Sequence, residues 1–139
     1  MSDRTFAISS SSAGGTRIFQ TDRMKHLFID VLRSYRRQRK FLLHAFVMMP
    51  THIHLLVTPA PTLSLEKCIQ LIKGNLSFRA KKELRMNGEI WTPGFNPHRV
   101  KDAVDYQNQV HYIHMNPVKA GLVESPELYE CSALGRAGK

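Results

Sequence analysis

The stretch Phe41-Leu-Leu-His-Ala-Phe-Val-Met-Met49, then Pro50-Thr51, then His52-Ile-His-Leu-Leu-Val57 decides the fold. Two apolar runs separated by a two-residue break read as a β-hairpin. Residues 41–49 have the length and composition of a largely buried strand. Residues 52–58 form the next strand, and Pro59-Ala60-Pro61 ends it. Along a strand, residues i and i+2 share a face. His52 and His54 therefore present two imidazoles side by side, while Ile53 points the other way. Two neutral imidazoles at that spacing can share a metal ion. They can equally be two polar residues on a solvated face, and what the rest of the chain brings to that face decides between these.

Working back toward the N-terminus, residues 21–39 give the clearest helix. Met24, Leu27, Phe28, Val31, Leu32 and Tyr35 make one continuous apolar stripe. Thr21 or Asp22 can cap its start. Arg33, Arg36, Arg37, Arg39 and Lys40 crowd its other side and end. Before it, residues 4–10 alternate weakly and read as a first strand. Ser9 to Thr16, with four serines and two glycines, reads as a flexible loop.

Working forward, Ser64 can cap a second helix running to about Met86, with Leu65, Cys68, Ile69, Ile72, Leu76, Ala80 and Leu84 as its buried stripe. Gly74 interrupts it, either to admit another backbone or to mark a kink. Lys73, Arg79, Lys81, Lys82 and Arg85 line the exposed side. Ile90-Trp91 and Phe95 to Val100 read as short extended pieces. Trp91 and Phe95 are candidates for base stacking or for core packing. Asp102 can cap a third helix with Ala103, Tyr106, Val110 and Ile113 as its apolar stripe. Pro117 disfavours helical geometry at Asn116, so this helix is expected to end there. Asn116 and Pro117 then suit a cap and first position of a short turn closed by Gly121. Residues 124–139 form a polar, irregular tail.

The order β-α-β-β-α-β predicts an α+β, ferredoxin-like split βαβ fold. This is a four-stranded antiparallel sheet with the first two helices on one face and strands one and three in the centre. A C-terminal tyrosine-bearing helix is free to approach the other face. The 139 residues form one domain, with a core of about 4–123.

A net charge of +9 and a pI near 9.9 point to a polyanion, chiefly nucleic acid or a membrane surface. No apolar run approaches a membrane span, and no signal peptide opens the chain. Cys68 and Cys131 are the only cysteines, with no CxxC, which fits a reducing cytoplasm and argues against a disulfide scaffold or a thiolate zinc site. The two basic helices make a shared phosphate-binding surface plausible. Arg36, Arg37, Lys73, Arg79 and Lys82, with Arg99 on the last extended piece, are the candidate DNA contacts. Solvated faces look the same in sequence.

Tyr112 lies off the third helix's apolar stripe, on the flank with Asp105, Gln109 and Asn116. A tyrosine hydroxyl is a covalent nucleophile when a base or metal assists it, and the Asn116 amide can be a third ligand beside two imidazoles. Tyr106 and Tyr35 lie on apolar stripes and Tyr129 lies in the tail. His26, His44, His98, His111 and His114 lack comparable spacing and default to surface or packing roles.

Met48-Met-Pro-Thr-His-Ile-His-Leu-Leu-Val57 resembles the histidine-hydrophobic-histidine (HUH) motif of the single-tyrosine, IS200-like transposases. Tyr112-Ile-His-Met-Asn-Pro-Val-Lys-Ala-Gly-Leu-Val123 resembles the tyrosine motif of their branch associated with repetitive extragenic palindromes (REP). Ile69 to Gly74 and Trp91 to Phe95 also sit where that branch has similar segments. The resemblance spans residues 4–132 and implies the same split βαβ fold. It implies a metal-dependent endonuclease and strand transferase that cuts single-stranded DNA beside hairpins through a 5′-phosphotyrosine link. Tyr112 is then the nucleophile, and His52, His54 and Asn116 are the ligands of Mg²⁺ or Mn²⁺. Single-stranded or hairpin DNA is the partner, the protein is a monomer or homodimer, and it acts at the nucleoid in a bacterial cytoplasm. The serine-rich first loop departs from the family pattern. The alternative is a domesticated module that binds single-stranded nucleic acid without chemistry.

Overall fold

The computed structural model describes residues 4–119. In chain order its elements are β1 (Phe6–Ser11), α1 (Asp22–Arg37), β2 (Phe41–Met49), β3 (His52–Pro59), α2 (Leu65–Glu83), β4 (Asn96–Arg99) and α3 (Ala103–Lys119), with single 3₁₀ turns at Ala13–Gly15 and Ile18–Gln20. The four strands form one antiparallel sheet in the order β2-β3-β1-β4. β1 and β3 are central, as the split βαβ reading requires.

Helix α1 starts where Thr21 Oγ1 accepts the Met24 N–H at 3.2 Å, and α2 where Ser64 Oγ accepts the Lys67 N–H at 3.1 Å. The buried faces are Met24, Leu27, Phe28, Val31 and Leu32 on α1, and Leu65, Cys68, Ile69, Ile72, Leu76 and Ala80 on α2. Phe28 meets Phe46 of β2 edge-on at 5.8 Å, which places α1 on the sheet face carrying Phe46, Leu55 and Ile8. Removing each such side chain from water contributes about 1.5–3 kcal/mol. That gain fixes the strand phase, because a one-residue slip would expose Ile53, Leu55 and Val57, all fully buried. Arg79 ties the two helices together, bonding Asp30 and Glu83 at 2.6 Å each.

Four local expectations need correction. The serine-rich run is mostly strand. Ser9, Ser10 and Ser11 continue β1 opposite His54, Ile53 and His52, and Ser12 bridges to Trp91. Ser10 and Ser12 are buried, their hydroxyls donating to the Gly94 and Thr16 carbonyls. Ladder pairing with a central strand outweighs the weak strand preference of serine. Helix α3 does not end at Asn116 but runs through Pro117 to Lys119. Proline removes one N–H from the ladder and the helix continues past the loss, so Asn116 is not a cap. The expected turn at Gly121 and the tail 124–139 lie outside the described residues. Helix α2 ends at Glu83, short of Met86. It is continuous through Gly74, where an added Cβ would meet nothing within 4 Å, so among the described residues no backbone approaches there.

Candidate active site

The site is built on the sheet face that α1 and α2 leave open. The two-residue turn at Pro50-Thr51 starts β3, and it is pinned from the β1 side. The Ser12 N–H donates to the Thr51 carbonyl at 2.8 Å and the Phe19 N–H to the Pro50 carbonyl at 3.1 Å. With Ile53 in the core, His52 and His54 face outward, opposite Ser11 and Ser9 on one side and Met49 and Val47 on the other. Their rings stand edge-to-face, 4.8 Å apart between centroids. The Thr51 hydroxyl lies 3.2 Å from His52 Nδ1. Burial lowers the His52 pKa from its ordinary value. Burial, and then repulsion from His52, push His54 down to about 4. Both imidazoles are therefore neutral at neutral pH, with lone pairs available.

Helix α3 lies across this face. It starts where Asp102 Oδ1 accepts the Asp105 N–H at 2.8 Å. A β-bulge between Leu43 and Ala45 leaves His44 as the extra residue of β2. His44 Nδ1 lies 3.0 Å from the Tyr106 hydroxyl and its Nε2 lies 2.8 Å from Thr58 Oγ1. Thr58 in turn meets Thr5 Oγ1 at 2.6 Å. This chain of polar groups fixes the rotation of α3. The Tyr112 ring then stands edge-to-face over His54 at 5.4 Å, with the residue 45% exposed. Beside it opens a cleft of about 230 Å³, lined among others by Ser9, His54, Asn96, His98, Gln109 and Tyr112.

Of the sequence-predicted site residues, His52, His54 and Tyr112 are thus brought together. Asn116 is half-buried one helical turn beyond Tyr112, and no hydrogen bond to a described residue engages its amide. Among the described residues no group of three or more His, Cys, Asp or Glu is arranged around a common point.

The basic candidates separate. Arg36 and Arg37 line a hollow of about 690 Å³ with Arg4, Arg39 and Phe41, at the Pro59 end of β3 and away from His52. The Lys73 ammonium donates to the carbonyls of Gly94 at 2.7 Å and Thr92 at 3.3 Å and sits over the Trp91 ring. The Trp91 indole N–H donates back to the Lys73 carbonyl and its ring packs on Phe19 at 4.9 Å. Trp91 is therefore a packing residue that holds the segment leading into β4. Arg79 is occupied by Asp30 and Glu83. Lys82 lies over the exposed Phe78 ring. Arg99 is exposed on the edge strand β4.

Two histidines given default roles by sequence have definite ones. His44 anchors α3, and His98 pairs with Asp105 at 2.9 Å. Spacing along the chain carried no sign of either, because each pair joins a strand to α3 across the sheet face. His26 and His111 are exposed, as expected.

A strand bearing two outward imidazoles beneath a tyrosine helix, on a split βαβ sheet, is the arrangement of a single-tyrosine HUH transposase. The family model described as "Transposase IS200 like" matches residues 16–116, and the chain belongs to that family. It is 29% identical over 113 residues to the REP-associated tyrosine transposase of Escherichia coli (strain K12), covering 76% of this chain and 59% of the relative. A relative from Haemophilus influenzae is 29% identical over 120 residues, covering 74% of this chain and 68% of its own length. The chain thus spans about three fifths of the Escherichia coli relative. A solved structure of a REP-associated tyrosine transposase bound to a REP hairpin superposes with a TM-score of 0.75. It shares 25% identity and covers 98% of this chain and 79% of that one. Among the described residues no helix is long and apolar enough to cross a membrane.

Proposed function

We propose that the protein is a metal-dependent endonuclease and strand transferase that cuts single-stranded DNA beside a hairpin, using Tyr112 as nucleophile. The observation that carries this reading is the edge-to-face contact of Tyr112 with His54, which line one cleft, while the His52 ring lies 4.8 Å from that of His54. The Tyr112 oxygen attacks the scissile phosphorus and the P–O3′ bond breaks. The DNA is left with its 5′-phosphate on Tyr112 and a free 3′-hydroxyl. Attack by another 3′-hydroxyl reverses the step and joins strands without an external energy source.

The donor set fits a divalent cation: two imidazoles kept neutral by burial and a carboxamide one turn from the nucleophile. His52, His54 and Asn116 would hold Mg²⁺ or Mn²⁺. When bound, the ion polarises the phosphoryl oxygens and offsets developing charge. The Thr51 hydroxyl at His52 Nδ1 orients that ring, and Ile53 in the core prevents the strand from turning its histidines inward.

Arg36, Arg37, Lys82 and Arg99, which lie on separate parts of the surface, are the proposed contacts to DNA. Lys73 and Arg79 act mainly by holding the segments around them. The REP hairpin of the solved relative supports hairpin DNA as the partner class.

The test incubates the full chain with labelled hairpins carrying single-stranded flanks, of varied sequence, and Mn²⁺. A covalent adduct that Tyr112→Phe abolishes is expected. Hairpin binding insensitive to chelator, with no adduct across the panel, would sink the nuclease reading and leave a binding module.

A further inference from the structure

The hollow at the Pro59 end of β3 lies away from the cleft that holds Tyr112. It measures about 690 Å³, and Phe41, Leu42, Pro59 and Pro61 give it an apolar lining. Phe41 is buried, while Leu42 is 64% exposed. Arg4 sets its shape, donating to the Ala60 carbonyl at 3.0 Å and the Leu63 carbonyl at 2.6 Å. Arg36 and Arg37 line it from the last turn of α1, and Arg39 from just beyond. Among the described residues no Asp or Glu lines the hollow, and no carboxylate pairs with these three guanidiniums.

Cations in the last turn of α1 suit the helix dipole, which accounts for Arg36 and Arg37. That effect fades within the turn, and Arg39 lies past the Gln38 cap at φ of +60°. Glycine is the more stable residue in that left-handed geometry. With arginine there, the chain gives up stability and gains a third guanidinium at the rim. Like charges gathered around an apolar hollow repel one another and favour an anion. A nucleotide supplies both a phosphate and a flat apolar base. Guanidinium planes bond phosphate oxygens in pairs and stack on rings. The volume falls within the range of about 300–1,000 Å³ common for small-ligand sites. A base paired and stacked in a duplex has no free face to offer, so the nucleotide must be unpaired. An acidic peptide offers the charge without the flat ring.

Resting on the reading that the protein binds hairpin DNA with single-stranded flanks, we infer that this hollow takes one unpaired nucleotide of a flank. Its base lies against Leu42 and the prolines, and its phosphates lie on Arg36, Arg37 and Arg39. Pro59 is five residues along β3 from His54, about 17 Å at the usual strand rise. The hollow is thus a second hold on the DNA, on a nucleotide that the chemistry at Tyr112 does not touch.

The test measures binding in chelator, so that no cleavage intervenes. The full chain is titrated with three labelled probes: a blunt hairpin, the same hairpin with thymidine flanks, and the same hairpin with abasic flanks. Wild type is expected to bind the thymidine-flanked probe roughly 5- to 100-fold tighter than the abasic one, the range that one stacked base supplies. Arg39→Gly and Leu42→Thr are each expected to lose most of that advantage. Both replacements suit the folded backbone, since glycine favours positive φ and threonine favours a strand. The thermal midpoint of Arg39→Gly should therefore equal or exceed that of wild type. Variants that keep the wild-type advantage overturn the inference. So does a wild type that binds both flanked probes alike, which leaves the hollow to phosphates alone. A glutamate-rich peptide that binds wild type but not Arg39→Gly, with no thymidine advantage, assigns the hollow to an acidic protein segment instead. A protein that shows the advantage yet forms no Tyr112 adduct with Mn²⁺ upholds this inference and loses the nuclease reading. If wild type binds none of the three probes, the DNA reading fails and takes this one with it.

Discussion

The His54 imidazole and the Tyr112 ring meet edge-to-face at 87°, their centroids 5.4 Å apart. They are 58 residues apart in sequence, one on β3 and the other on α3. The contact exists because Ile53 is drawn into the core on one side of β3 and Tyr106 is held by His44 on the other. Substituting the two histidines should separate ion binding from hairpin binding. His52→Ala and His54→Ala are each expected to weaken Mn²⁺ binding, read by electron paramagnetic resonance, by at least tenfold, while hairpin affinity in chelator stays within a few-fold of wild type. Unchanged Mn²⁺ affinity in both would move the ion elsewhere.

The anchor of α3 should show a pH signature. Burial depresses the His44 pKa below 6.5. The unfolded chain therefore binds the extra proton first as pH falls, and stability drops from pH 6.5 downward until the folded-state value is reached. The contribution is fully present above pH 6.5. His44→Gln should flatten this part of the stability profile, measured by urea unfolding between pH 7 and pH 5. An unchanged slope would assign the acid sensitivity to other groups.

Two backbone positions carry opposite glycine predictions. Gly74 is exposed in the middle of α2, and a Cβ there meets nothing within 4 Å. Gly74→Ala is expected to add about 1 kcal/mol. Arg39, just past the Gln38 cap that closes α1, has φ of +60°, a geometry that suits glycine, so Arg39→Gly is expected to stabilise by a similar amount. Chemical denaturation checks both. A Gly74→Ala protein that gains stability but loses hairpin affinity would show that DNA, rather than this chain, approaches that glycine.

The cationic side chains should differ in salt dependence. Arg79 already serves two carboxylates, so Arg79→Ala should leave the slope of log K against log salt nearly unchanged. Arg36→Ala with Arg37→Ala should reduce its magnitude by roughly 0.9 for each phosphate that is no longer neutralised. Titrations at several salt concentrations read this directly. Equal slopes in wild type and the double variant would remove α1's end from the DNA interface.

Ile53 tests the phasing of β3. It is fully buried between two outward histidines, and Ile53→Ala should cost about 2–5 kcal/mol, read by denaturant midpoint. A loss below about 1 kcal/mol would mean that the strand's phase is held mainly by other residues.

What the sequence determined by itself is what local periodicity and side-chain size dictate. The stripes of α1 and α2, the two-residue turn at Pro50-Thr51, the outward pair His52 and His54 and the flank position of Tyr112 all follow from spacings of 2 and about 3.6 residues. Tertiary structure decided what depends on partners far along the chain. The serines of 9–11 became strand because β3 supplies a ladder that outweighs their own preference. Helix α3 ran through Pro117 at the loss of one backbone bond. Arg79 turned from a candidate phosphate contact into a tie between two helices, while His44 and His98 found their partners on α3. Charge and hydrogen-bonding capacity are properties of a residue, but which partner satisfies them is a property of the fold. In sequence, a histidine aimed at an aspartate seven residues on cannot be told from one aimed at water.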